Sequence, residues 1–393
     1  MRLLRLSLTD FRNFATVTWR PRARISVFYG PNGSGKTNLL EAVSLLTPGR
    51  GLRGARNAEL RRHGATGGWA VAGRFATKEG ETDIGTGTLP DAPVDRRVFR
   101  LNGTIPRSQG EIVSRVASVW LTPQMDRLFQ EGHAGRRRFL DRLVLALDPG
   151  HAREIAAHDG AMSQRHRLLS ENRHDPLWLA GLEDAMARHA VAVTAARTAL
   201  VSRLNSALQD GATGTFPPAR LAVICPIAER LVCEPARVVE DWLRGALATA
   251  RARDGAAGTT AMGAHRADMA LFDADSGLPA TLASTGEQKA LMVGLILGHA
   301  ALTTAARGFA PLLLLDEPAV HLDAGRRAAL FSALAEMEAQ TLVTGTDADV
   351  FLPLVAVAEG LRMGGGTLSP DLRFTPTSVA LAPVPGAVQT LYI

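Results

Sequence analysis

Gly30-Pro31-Asn32-Gly33-Ser34-Gly35-Lys36-Thr37 fills every position of the pattern G-x-x-x-x-G-K-[ST]. Glycines at those positions let successive backbone N–H groups curl round phosphate oxygens. Lys36 adds a compact positive charge, and Thr37 offers a hydroxyl to Mg²⁺. This is chemistry for binding a nucleoside triphosphate. The flanking chain has the form the chemistry needs. Residues 24–29 read as a strand entering the loop, and residues 37–46 carry apolar residues at helical spacing behind it. The loop therefore opens a helix, where backbone N–H groups and the helix dipole both favour an anion. Of 44 basic residues only Lys36, Lys78 and Lys289 are lysines. Arginine stands almost everywhere a positive charge would do, yet position 36 keeps the compact ammonium that such a loop accepts.

A second element lies far downstream. Residues 311–315 form an apolar run ending in Asp316-Glu317-Pro318, the form of a buried parallel strand that delivers two carboxylates at its C-terminal end. This is a Walker B motif. Asp316 is expected to hold the Mg²⁺ shell, and Glu317 to orient or deprotonate the attacking water as the catalytic carboxylate. Between the two motifs, Ser284-Thr285-Gly286-Glu287-Gln288-Lys289 precedes a helical stretch. Ser-x-x-Glu there is a capping box. A serine hydroxyl and glycine N–H groups at a helix N-terminus are equally an anion site.

That segment resembles the signature loop of the ABC ATPases, and its Lys289 lies 27 positions before Asp316. The resemblance implies that Ser284 and Gly286 bind the γ-phosphate of a partner protomer's nucleotide. His321-Leu322-Asp323 resembles the D-loop, which would place Asp323 near the dimer interface. The strand over 340–343 delivers Thr344-Gly345-Thr346-Asp347 where transporter ATPases carry a histidine, and its absence argues against a transporter subunit. Gln124, after the strand-like residues 117–122, is a candidate Q-loop ligand to Mg²⁺, although a lone glutamine also reads as a surface residue.

Four further segments carry a family resemblance: Asp10-Phe11-Arg12-Asn13-Phe14, Asn38-Leu39-Leu40-Glu41-Ala42, Arg136-Arg137-Arg138-Phe139-Leu140-Asp141 and Gly263-Ala264-His265-Arg266-Ala267-Asp268. With the nucleotide motifs, they make the chain resemble the RecF family of bacterial ABC-type ATPases, related to SMC heads, over nearly its whole length. Three positions depart from the family's usual pattern: Glu317, Glu287 and Ala264. The resemblance implies a weak, DNA-stimulated ATPase that uses ATP and Mg²⁺ as a switch. It further implies an ATP-dependent homodimer on double-stranded and gapped DNA, RecR and RecO as partners, and roles in RecA loading, replication restart and the SOS response. The rival classes are an SMC-like or OLD-like ATPase serving another DNA process and, less well matched, a transporter subunit.

The elements that must position these residues suggest an α/β fold. An ABC/SMC-type P-loop ATPase head is expected over residues 1–120 and 256–393, interrupted by a mostly helical lobe over 121–255. Residues 136–172 read as one helix, His174-Asp175-Pro176 as a break, and Leu182, Met186, Val193, Leu200, Leu204 and Leu208 as an apolar stripe on a second helix. Such a short antiparallel arm excludes the long coiled coils of SMC proteins. Turn chemistry marks residues 211–218 and a hairpin at 273–279. At 393 residues and 46% hydrophobic, the chain can build a substantial core. Its net charge of +6 permits a nucleic-acid partner. The candidate phosphate contacts are Arg50, Arg53, Arg56, Arg61, Arg62, Arg136, Arg137 and Arg138, each otherwise a solvated face. Two cysteines suit a reducing cytoplasm. The alternating Leu4, Leu6 and Leu8 read as an opening strand, with no targeting or membrane segment expected.

Overall fold

The computed structural model describes residues 1–89, 96–130, 132–171, 175–211 and 216–376. Part of the expected turn at 211–218, the expected break at His174 and the apolar tail 377–393 lie outside the described residues.

In chain order, β1 (Arg2–Phe11) turns back through β2 (Phe14–Trp19). Next come β3 (Ile25–Tyr29), the phosphate-loop helix α1 (Lys36–Ser44) and a short α2 (Asn57–Leu60). Strands β4 (Ala70–Thr77), β5 (Gly80–Thr88) and β6 (Arg97–Leu101) precede α3 (Gly110–Val113) and β7 (Ser118–Leu121). Helices α4 (His133–Leu147), α5 (His151–Ser170) and α6 (Pro176–Gln209) are followed by β8 (Ala219–Ile224), α7 (Pro226–Cys233), α8 (Ala236–Thr249), α9 (Arg251–Ala257) and β9 (Asp268–Asp273). The last elements are α10 (Thr285–Arg307), β10 (Leu312–Leu315), α11 (Ala324–Glu336), β11 (Thr341–Gly345), β12 (Ala358–Gly364) and β13 (Thr367–Asp371).

These elements form two compact units, one from residues 1–126 and 284 onward, the other from 127–211 and 217–283. The first holds two sheets. One is six-stranded in the order β13-β12-β3-β11-β10-β7, parallel except for the edge strand β13. The other is an antiparallel five-stranded sheet, β2-β1-β4-β5-β6. Its inward set in β1 is Leu3, Leu6 and Leu8, not the regular alternation from Leu4, because the register with β4 shifts between Leu3 and Arg5. The buried Gln340 side chain accepts from Leu3 N–H at 2.7 Å and donates to its carbonyl at 3.2 Å, tying the start of β1 to the chain just before β11. Helix α10 is buried almost all round from Gln288 to Ala300, as an apolar core helix must be. It is long and apolar enough to cross a membrane by composition alone, but 72% of that window is buried inside the protein.

In the second unit the expected single helix over 136–172 is two helices. Asp148-Pro149-Gly150 separates α4 from α5, since proline removes a donor and a helical φ is disfavoured just before it. Asp175 caps α6 by accepting from Leu177 and Trp178 N–H, with Pro176 at the first helical position. The α6 stripe is core: Met186, Ala190 and Val193 pack with Ile227 of α7 and Val239, Leu243 and Leu247 of α8. Residues 256–283 were expected in the C-terminal part of the head. They group instead with the helices, because β9 pairs with β8 in full register from Ala219↔Asp273 to Ile224↔Asp268.

Candidate functional site

Register in the six-stranded sheet assembles the chemistry. Leu121, Leu315, Val343 and Val27 lie side by side across β7, β10, β11 and β3. One residue further on, at the C-terminal edge where ligands of parallel sheets bind, come Thr122, Asp316 and Thr344. Asp316 N–H donates to Leu121 O at 2.9 Å, holding that level. The phosphate loop leaves the same edge from β3.

The loop has the conformation its glycines allow. Gly35 has φ 102° and caps α1. A Cβ there would stand 2.4 Å from Asn13 Nδ2, so glycine is favoured by φ and lets the Asn13 amide lie against the loop. Asn13 comes from the β1–β2 turn; it donates to Ser34 O at 3.2 Å and accepts from Asn38 at 2.8 Å. Arg12 in the same turn donates to both oxygens of the fully buried Glu41 of α1 at 2.8 Å. Asp10-Phe11-Arg12-Asn13-Phe14 is thus a buttress of the phosphate loop. Its sequence signal was there, but its target was not.

The 5%-exposed Lys36 donates to Gly30 O at 2.8 Å and Pro31 O at 3.1 Å, so its charge is held inside the loop. Among the described residues, Ser34 Oγ is buried without a hydrogen-bond partner, an orphan that a phosphate oxygen would satisfy. Thr37 Oγ1 lies 3.0 and 2.9 Å from the two oxygens of Asp316. A hydroxyl beside a carboxylate is the hard-oxygen set that Mg²⁺ accepts when phosphates supply the remaining ligands. The residues therefore fit ATP and Mg²⁺.

Thr344 completes this cluster, and sequence spacing assigned it no role of its own there. Its hydroxyl donates to Asp316 Oδ1 at 2.7 Å and accepts from Glu317 N–H at 2.9 Å, in a fully buried position. Glu317 has φ 49°, a conformation costly for a residue with a Cβ. One threonine thus fixes the Asp316 carboxylate and the backbone of Glu317.

Ser284, the exposed N-cap of α10, forms the expected capping box. Its hydroxyl and its N–H both bond Glu287 Oε2, at 2.7 and 2.8 Å. A Cβ on Gly286 would approach His321 O to 3.1 Å, so the signature and D-loop segments are closely packed within this chain. His321 itself has φ 65°. Asp323 caps α11 by accepting from Arg326 N–H at 2.8 Å, and that backbone bond holds its carboxyl below the usual carboxylate range. Gln124 is exposed in the 3₁₀ turn after β7, three residues past Leu121 at the same sheet edge.

The arginines divide. Arg50, Arg53, Arg56 and Arg138 are exposed, although Arg53 donates to Asn38 Oδ1 at 2.7 Å. Arg61 is half-buried. Arg62 pairs with Asp10 at 2.7 Å. Arg136 binds both oxygens of Asp268 at 2.8 Å with only 14% of its side chain exposed, and Arg137 donates to Ala267 O. Arg136 and Arg137 are therefore engaged in internal bonds instead of forming the solvated face their sequence suggested, whereas Arg62 is paired at the surface with 37% of its side chain exposed.

Residues 2–359 match the family model described as RecF/RecN/SMC N terminal domain. The DNA replication and repair protein RecF of Mesorhizobium japonicum is 47% identical over 368 residues, covering 93% of this chain and 97% of that one. Its counterpart in Agrobacterium fabrum is 46% identical over 369 residues, covering 93% and 98%. Among solved structures, the recombination mediator protein RecF of the RecFOR pathway, as RecF-ATPrS, superposes with a TM-score of 0.81 at 22% identity, covering 94% of this chain and 98% of that one. An SMC head bound to the C-terminal winged-helix domain of ScpA gives 0.53 at 15%, covering 94% and 97%. These two structural likenesses speak for the fold, an ABC/SMC-type ATPase head. With the family model spanning most of the chain and relatives this similar over nearly all of it, the chain belongs to the RecF family.

Proposed function

We propose that this chain is an ATP-switched DNA clamp of recombinational gap repair and replication restart. The observation that carries the reading is the convergence of Lys36, Thr37, Asp316, Thr344 and Glu317 at one sheet edge. Gly30, Pro31, Asn32, Gly33, Ser34 and Gly35 wrap the phosphates, Lys36 neutralises their charge, and Thr37, Asp316 and Gln124 hold Mg²⁺. The bound metal supplies charge neutralisation to the phosphates. Glu317 orients the attacking water and takes its proton.

Ser284 and Gly286 lie on a helix start whose hydroxyl is satisfied locally by Glu287, and they serve a second protomer's nucleotide. Two copies then close on two ATP molecules, with Asp323 near the shared water. ATP binding energy is spent on favouring the closed dimer, and hydrolysis times its release. Duplex and gapped DNA are held through phosphates by exposed arginines such as Arg50, Arg56 and Arg138, which gives affinity without sequence specificity. RecR and RecO are the expected partners in loading RecA and in the SOS response, and the cytoplasm is the expected location.

Steady-state ATP hydrolysis measured with and without gapped duplex tests this reading. Stimulation by duplex that weakens steeply with added salt is the expected result. Hydrolysis indifferent to DNA would favour an OLD-like ATPase instead.

A further inference from the structure

Lys289, one of three lysines in the chain, is only 1% exposed. Its ammonium lies 2.9 and 3.0 Å from the two oxygens of Asp126, whose side chain is 13% exposed. Asp126 sits two residues past Gln124 in the turn Pro123–Arg127. Lys289 sits three residues past Gly286 in the first turns of α10. The chain leaves the first unit after Asp126 and, apart from a short return that includes Phe216, resumes it at Ser284, so one buried ion pair fastens the two loops flanking that excursion.

Such a pair contributes little net stability over an apolar replacement, but separating it strands a buried charge. The residues that follow on α10, Ala290 to Leu297, are buried and carry no charge that could take over. Neither loop can shift alone without breaking the pair.

We propose that Lys289 and Asp126 form a positioning strut. It couples the Gln124 loop, which faces a protomer's own nucleotide, to the Ser284 and Gly286 loop offered to a partner copy's nucleotide. The proposal rests on the two-protomer reading given above. ATP bound in one protomer thereby sets the signature loop of that same protomer, so that closure follows occupancy.

The test compares Lys289→Gln, Asp126→Asn and the double variant in the full chain carrying Glu317→Gln. ATP affinity is read with a fluorescent ATP analogue, ATP–Mg²⁺-dependent dimerisation by light scattering, and folding by melting temperature. Each single variant should bind ATP within about threefold of the parent, yet need about tenfold more protein to dimerise, a size ordinary for coupling between sites. The Asn–Gln pair keeps a neutral hydrogen bond of similar span and should recover most of the loss. Asp126→Asn, on the more exposed side, carries the test if Lys289→Gln does not fold. Single variants that dimerise like the parent, or that lose ATP binding, melting temperature and dimerisation together, overturn the strut. A parent that stays monomeric with ATP overturns the two-protomer reading and the strut with it.

Discussion

Replacing Thr344 by valine keeps the shape of the side chain and removes the hydroxyl that holds the Asp316 carboxylate and the Glu317 backbone. Two bonds are lost: one to the Asp316 carboxylate at 2.7 Å and one from Glu317 N–H at 2.9 Å. A bond to a charged group contributes about 1.5–3 kcal/mol, and a buried N–H left without its acceptor costs a further ~1–3 kcal/mol. Glu317 already sits at φ 49°, so its freed backbone can relax and carry its carboxylate away from the water. If only the first of these losses falls on the transition state, hydrolysis slows about 10- to 100-fold, since each 1.36 kcal/mol is about tenfold. ATP binding rests on Lys36 and the loop backbone and should stay within about threefold, a difference of under ~1 kcal/mol. Single-turnover hydrolysis and nucleotide titration separate the two effects. Thr344→Ser, which restores the hydroxyl, should return most of the rate. Valine turning over within about twofold of the parent, or serine failing as badly as valine, would refute the positioning role.

Gly35→Ala should strongly weaken nucleotide binding in a titration while the fold survives, because φ 102° is strained for a residue with a Cβ and that Cβ, 2.4 Å from Asn13 Nδ2, would push the Asn13 amide off Ser34 O. In the second unit, Arg165 is fully buried and donates to Glu183 at 3.0 Å and Asp254 at 2.9 Å. Arg165→Leu strands Asp254 without an ion-pair partner among the described residues and should destabilise that unit by about 3–5 kcal/mol, measured as a fall in its denaturation midpoint with no direct change at the nucleotide site. His265 is held below its ordinary pKa chiefly by burial, with the nearby His158, Arg266 and Arg137 adding to the effect. Above pH ~6.5 it is neutral whether folded or unfolded. Below that the unfolded chain binds a proton that the folded imidazole resists, so stability falls as the pH drops towards the folded pKa. Thermal melts from pH 7 to 5 should steepen in that direction, and His265→Gln should flatten part of the slope.

The nucleotide site was legible because its chemistry is local. Eight consecutive residues fix the phosphate loop, and an apolar run ending in two carboxylates fixes a strand edge. What joins them was not legible. Thr344 meets Asp316 and Glu317 only because β10 and β11 pair in register, and Asn13 meets Gly35 only because the β1–β2 turn folds onto the loop. The helical lobe was readable from the α6 stripe, but its extent was not. Nothing within residues 256–283 announces that β9 pairs with β8 some 50 residues earlier. The break between α4 and α5 carried a signal, Asp148-Pro149-Gly150, that periodicity on either side obscured. Charge was the poorest guide: in an arginine-rich chain, the cluster at 136–138 looked like a solvated face, yet Arg136 is paired with Asp268 through a contact 132 positions away.

The central claim is that ATP closes two copies of this chain through sites completed in trans. The most direct measurement is the mass of Glu317→Gln by light scattering, with and without ATP–Mg²⁺ and a gapped duplex, since that variant should bind ATP and hold the closed state. The account predicts a monomer that becomes a dimer only with ATP and then retains DNA. A chain that binds ATP yet remains a monomer on DNA would contradict it.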